Sequence, residues 1–333
     1  MGSTDKEKEG KMMKLGIVGA GLIVQHLLSF IHEVDGITLQ AIYARDNKEE
    51  RLTKLCAEHG IHSYYTDYEE MLADEQIDTI YVAVTNQLHH EFAKKALLSG
   101  KHVICEKPFT VELKDFEDLC RIASEEGLLL LEAITTLYLP NYLEIKEQVK
   151  RIGRVRIVEC NFSQYSSRYD DFKKGIVKPC FDPVCAGGAL MDLNVYNIHL
   201  VVDLFGEPVR AHYYPNMERG VDVSGVLVLS YGTFQCVLIG SKDCGAPICT
   251  NIQGDQGCIH MPSPANTCDC FEVLMNRREG EKFALNGERH RMYYEFVEFE
   301  RAVRERDLEF AKRMLKQSRI VMRVLEEARK GLS

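Results

Sequence analysis

An apolar run, MKLGIV at residues 13–18, breaks at Gly19-Ala20-Gly21, and a helical pattern begins at Leu22. No other feature constrains the fold as much, because a strand, a glycine turn and a helix in that order open a parallel crossover. The alternation then repeats. ITLQAIY at 37–43 reads as a strand, and 48–59 has helical spacing through Leu52, Leu55 and Cys56. IDTIYVAV at 77–84 reads as a strand, and 89–98 as a helix stopped by Gly100. Val103-Ile104-Cys105 is a short buried strand that ends at Glu106-Lys107-Pro108, followed by a helix over 113–126 and a strand over 128–133. The strands are apolar on both faces, as a sheet covered by helices requires. The fold class is α/β, with an N-terminal doubly wound parallel sheet.

The pattern changes after residue 150. Residues 154–165, 209–215, 223–232 and 233–241 are strand-like, with a hairpin turning at Tyr231-Gly232. They predict a second α/β domain with an open, mostly antiparallel sheet. The tail, 293–329, is helical again, with Phe296, Phe299, Val303, Met314, Val321 and Leu325 on its apolar side. The 333 residues exceed what one core usually supports. The expected division is a disordered polar leader over 1–11, a dinucleotide-binding domain over 12–133 and a substrate and dimerisation domain over 134–333.

A net charge of −9 argues against a nucleic-acid partner, which wants a basic patch. No apolar stretch reaches the length of a membrane span. Twelve cysteines without a secretion signal predict free thiols and a cytoplasmic protein. The densest group, Cys244 to Cys270, has no C-x-x-C pair and irregular gaps, so no metal site is expected.

Gly19 suits the tight turn, and Gly21, with Leu22 and Ile23 behind it, lets backbone N–H groups approach a pyrophosphate at the helix N-terminus. The third small position is Val24, a departure that predicts looser helix–strand packing. The second strand ends in Tyr43-Ala44-Arg45, where an NAD site usually has Asp or Glu. The planar, permanently charged Arg45 suits a 2′-phosphate, which favours NADP; Asp46 leaves NAD open.

These residues carry a resemblance. GIVGAG at 16–21, YVAVTNQLHHEFAKKALLSGKHVICEKPF at 81–109 and GGALMDLNVYNIHLVVDLFG at 187–206 are similar, in this order, to the Gfo/Idh/MocA (glucose–fructose oxidoreductase / inositol dehydrogenase) family. The NADP-dependent dihydrodiol and sugar dehydrogenase-like members look nearest, because they share Ala-Arg after the second strand and Tyr at 196. The resemblance implies an NAD(P)-dependent dehydrogenase acting on a sugar, cyclic polyol or diol. It also implies a homodimer or dimer of dimers built on the second sheet.

It makes Lys107 the catalytic lysine, with a cis Lys107-Pro108 peptide, places Asn86 and His89 near the cofactor, and gives Glu106 either a place at the cofactor or a role in orienting the loop or the lysine. A cation there fits the chemistry, since an ammonium beside the substrate oxygen stabilises developing alkoxide character. Asp192, Tyr196 and His199 recur at helical spacing after Gly187-Gly188, which puts them on one face. The resemblance makes Tyr196 the acid/base. An unperturbed phenol titrates near ~10, so the role calls for a neighbouring cation. Asp192 would orient Lys107 or a substrate hydroxyl. His199 is a candidate substrate contact or a structural histidine, and Tyr165 and Arg168 are candidates for a polyol or carboxylate site or for a surface loop. Two rivals remain: an NAD-retaining glycosidase of the same fold, marked by non-exchanging cofactor, and a non-catalytic nucleotide-binding protein, marked by affinity without turnover.

Overall fold

The computed structural model describes residues 12–45 and 49–332. The expected leader and Asp46 lie outside them. In the first half, β1 (Met13–Val18), α1 (Leu22–Phe30), β2 (Ile37–Tyr43), α2 (Glu49–His59), β3 (Ser63–Tyr65), α3 (Tyr68–Ala73), β4 (Thr79–Val82), α4 (His89–Leu98), β5 (His102–Glu106), α5 (Leu113–Glu125) and β6 (Leu130–Ala133) follow one another. The sheet order is β3-β2-β1-β4-β5-β6, and every pair is parallel. The order reverses between β1 and β4, which opens a crevice at the carboxyl ends of the strands. Val24 has no exposed surface, so α1 packs tightly at the position where looser packing was expected.

The second half contains α6 (Pro140–Gln148), β7 (Val155–Ser163), α7 (Tyr169–Lys173), α8 (Val195–Phe205), β8 (Arg210–Glu218), β9 (Val221–Ser230), β10 (Gln235–Ser241), β11 (Cys249–Gly254), β12 (Gly257–Met261), β13 (Phe271–Met275) and β14 (Glu281–Phe283). They build an eight-stranded sheet, β14-β13-β12-β11-β7-β10-β9-β8, antiparallel except for the β10–β7 pair. The β9–β10 hairpin pairs Ser230 with Gln235 around the expected turn. One face is buried by α8. Along β7, Val158, Cys160 and Phe162 point inward, while Ile157 is 47% exposed on the other face.

Two helices close the chain, α9 (Tyr293–Glu305) and α10 (Leu308–Arg329), separated by Arg306 in a left-handed conformation (φ 52°). They bind the halves together. Phe296 packs edge-on against Tyr81 of β4, Ser318 donates to Glu132 of β6 at 2.5 Å, and Arg319 pairs with Glu117 of α5.

Candidate active site

The crevice begins at the turn after β1. Gly19 has φ +119°, and a Cβ there would sit 2.4 Å from the Ala83 carbonyl oxygen, so the turn after β1 can press against the end of β4 only with glycine. Gly21 faces open space instead. A cavity of about 530 Å³ lies over this turn, and Gly19, Gly21, Leu22, Ile23, Arg45 and Asn86 all line it. Its far wall comes from the second half through Arg168, Lys178, Cys180 and Asp192. Asn86 joins the two walls by donating to the Ala186 carbonyl at 3.0 Å. A glycine cradle, a helix start and a guanidinium fit the pyrophosphate and 2′-phosphate of a dinucleotide.

At the inner end, β5 delivers Lys107 through a cis Lys107-Pro108 peptide. Its Nζ donates to the Asp192 carbonyl at 2.9 Å and to Asp192 Oδ1 at 3.1 Å, and it lies 4.7 Å from the centroid of the Tyr196 ring. Burial works against the Lys107 charge, yet Tyr196, Asp192 and Glu106 outweigh it and raise its pKa. Burial would likewise raise the Asp192 carboxyl. The ammonium groups of Lys107 and Lys242 instead hold it well below the usual carboxylate range. An ammonium, a carboxylate and a phenol therefore converge from two domains, a set able to polarise an oxygen and exchange a proton.

The helix carrying Tyr196 is fixed from below. Gly188 (φ +127°) lets the chain close on Asp222, whose Oδ2 accepts from the Leu190 N–H at 2.7 Å. A wide π turn over Leu190–Asn194 precedes α8. Asn194 and Asn197 then donate to the Leu238 and Ile239 carbonyls of β10.

Four expected residues stand elsewhere. His199 has no exposed surface; its Nε2 lies 3.3 Å from Glu132 Oε1 and its Nδ1 3.1 Å from Gln317, so it faces the core and not a substrate. The wide π turn explains this, since it breaks the regular helical stripe assumed from Asp192 to His199. His89 is buried, with its ring nitrogens 2.9 Å from the Pro108 carbonyl and 3.1 Å from that of Val84. It supports the lysine loop and does not reach the cavity. Burial lowers its pKa in spite of those carbonyls. Glu106 is buried beneath the site and accepts from the Tyr81 hydroxyl at 2.5 Å. Tyr165 is an exposed ring whose hydroxyl donates to Asp170 and accepts from Lys173.

Two residues had no sequence signal. Lys242 follows β10 and reaches Asp192 Oδ2 at 2.8 Å. Arg291 precedes α9 and donates to the Thr135 hydroxyl at 3.4 Å; burial disfavours its charge, but the nearby Tyr196, Glu295 and Glu106 raise its pKa. Both come from strand and helix ends remote in sequence, so only the tertiary fold brings them here.

Residues 13–133 match the Gfo/Idh/MocA oxidoreductase family model with its NAD-binding Rossmann fold, and residues 142–260 match the Gfo/Idh/MocA C-terminal domain. The chain is 35% identical over 330 residues to scyllo-inositol 2-dehydrogenase (NADP(+)) IolU of Bacillus subtilis (strain 168), covering 96% of this chain and 97% of that one. It is 29% identical over 257 residues to trans-1,2-dihydrobenzene-1,2-diol dehydrogenase of Xenopus tropicalis, covering 75% of each. The fold resembles that of KijD10, a 3-ketoreductase from Actinomadura kijaniata solved with NADP and TDP-benzene, with a TM-score of 0.82 at 22% identity over 95% of this chain and 98% of that one.

Proposed function

The chain belongs to the Gfo/Idh/MocA oxidoreductase family, and on that premise we propose that it is an NADP-dependent dehydrogenase acting on a ring hydroxyl of a cyclic polyol, sugar or diol. The observation that carries this reading is the meeting of Lys107, Asp192 and Tyr196 at the inner end of the glycine-turn cavity. The likeness to an NADP-dependent scyllo-inositol dehydrogenase supports it and puts inositols first among candidate substrates.

The turn at Gly19 and Gly21 would hold the pyrophosphate, and Arg45 the 2′-phosphate. When bound, the nicotinamide supplies the hydride acceptor. The Lys107 ammonium donates to the substrate oxygen and stabilises its alkoxide character as the C–H bond weakens. Tyr196 takes the hydroxyl proton and returns it in the reverse direction. Asp192, ionised between two ammonium groups, keeps Lys107 aimed. We also propose a homodimer through the open face of the second sheet and a cytoplasmic setting, which the twelve unpaired cysteines support.

The test is to titrate NADP and NAD separately and then screen inositols, dihydrodiols and aldoses with the tighter cofactor. Reduction of nicotinamide with at least one substrate is expected. Tight NADP binding without turnover on the whole panel would remove the dehydrogenase reading.

A further inference from the structure

Lys242 belongs to no motif in the sequence, yet its side chain is only 3% exposed. Its ammonium meets Asp192 Oδ2 at 2.8 Å, the Cys180 carbonyl at 2.6 Å and the Phe181 ring at 4.5 Å from the centroid. Lysines are almost never so buried without partners, and a buried pair that loses one member leaves an uncompensated charge. We propose that Lys242 is a positioning residue that fixes the Asp192 carboxylate for Lys107 and clasps the 178–188 loop of the cleft to it, without touching substrate.

The geometry of the carboxylate carries this. Lys242 takes Oδ2, which leaves Oδ1 and the Asp192 carbonyl for Lys107. Two of the three Lys107 donors are then committed to Asp192, and a substrate oxygen would take the third. The same ammonium holds Cys180, which lines the cavity, so the loop and the carboxylate move as one unit.

The charges around Asp192 come from several elements. Lys107, just after β5, and Lys242 act on it directly; Glu106 of β5 and Tyr196 of α8 act on Lys107, Arg291 before α9 acts with Tyr196 and Glu106, and Lys242 acts on Asp222 of β9. Arg168 and Lys178 share its cavity. Of these, Lys107 and Lys242 alone are bonded to its carboxylate oxygens among the described residues. Loss of Lys242 therefore makes Asp192 easier to protonate.

The test compares wild-type protein with K242M, K242Q and K242R. Carbon-13 NMR of aspartate carboxyls, with D192N identifying the Asp192 signal, reads the titration without any turnover. In wild type and K242R the signal should stay ionised down to the lowest pH at which the protein remains folded. In K242M and K242Q it should titrate within that window. A second readout is kcat/KM against pH, where the loss in K242M should be about tenfold or more at acid pH and shrink as pH rises. A purely structural role would lower kcat/KM equally at all pH values. If Asp192 stays ionised in both neutral variants, or if the loss is independent of pH, the proposal is overturned. Should K242M not fold, K242Q, nearer in polarity, decides. The kinetic arm rests on the dehydrogenase reading. A wild-type protein without turnover would sink that reading alone, and the NMR arm would still decide on Lys242.

Discussion

Asp192 receives one ammonium on each carboxylate oxygen, and Tyr196 lies beside one of them. Replacing Lys107 by Ala or Tyr196 by Phe should lower kcat by about 10²–10⁴-fold, with NADP affinity nearly intact, as steady-state kinetics and a fluorescence titration would check. Two acids, the partly exposed Asp192 and the buried Glu295, should oppose each other in pH dependence. The folded pKa of Asp192 is depressed, chiefly by Lys107 and Lys242 against the effect of burial. Its contribution to stability is present above the unfolded value near ~3.9 and is lost as pH falls through the folded one. The Asp192→Asn variant should therefore melt below wild type at neutral pH, and the gap should narrow below about pH 4. Glu295 behaves the other way. It is buried, neither carboxylate oxygen has a hydrogen-bond partner among the described residues, and burial together with Glu106 raises its pKa. Wild type is thus penalised as pH rises above about 4, and Glu295→Gln should gain stability over it between acid and neutral pH in parallel melts.

At the scale of elements, the turn after β1 separates folding from binding. Gly19→Ala must hold an alanine at φ +119° against the Ala83 carbonyl, which should cost about 1–3 kcal/mol in chemical denaturation. Gly21→Ala meets no atom, so stability should stay within about 0.5 kcal/mol while nucleotide affinity falls. The apolar strands of the first sheet were legible in the sequence because they are buried on both faces, and the helices because one apolar stripe recurs along them. β3, with three residues, was too short to show a period, and α3 behind it was missed with it. Strands β11 to β13 were missed for another reason. Their polar positions, such as Asn251, Gln253 and Glu272, alternate inward apolar residues with an open outer face. The stripe from Asp192 to His199 misled because a π turn cannot be told from an α turn by spacing.

At the scale of the molecule, the outer face of the second sheet offers Ile157 among its exposed positions. Ile157→Glu should shift the proposed dimer toward monomer in sedimentation, with helix and strand content retained. The C-terminal helices act on the whole chain, since Ser318 and Phe296 reach β6 and β4 of the first sheet. The sequence alone determined the parallel and antiparallel halves, the glycine turn and the lysine after β5. Each is a local matter of hydrophobic period, backbone freedom and strand ending. Only the tertiary structure decided that Lys242 and Arg291 join Asp192 and Tyr196, and that His199 and His89 do not face the cleft. A buried charge is placed by partners from distant segments, and no local pattern in the chain records which segments those will be.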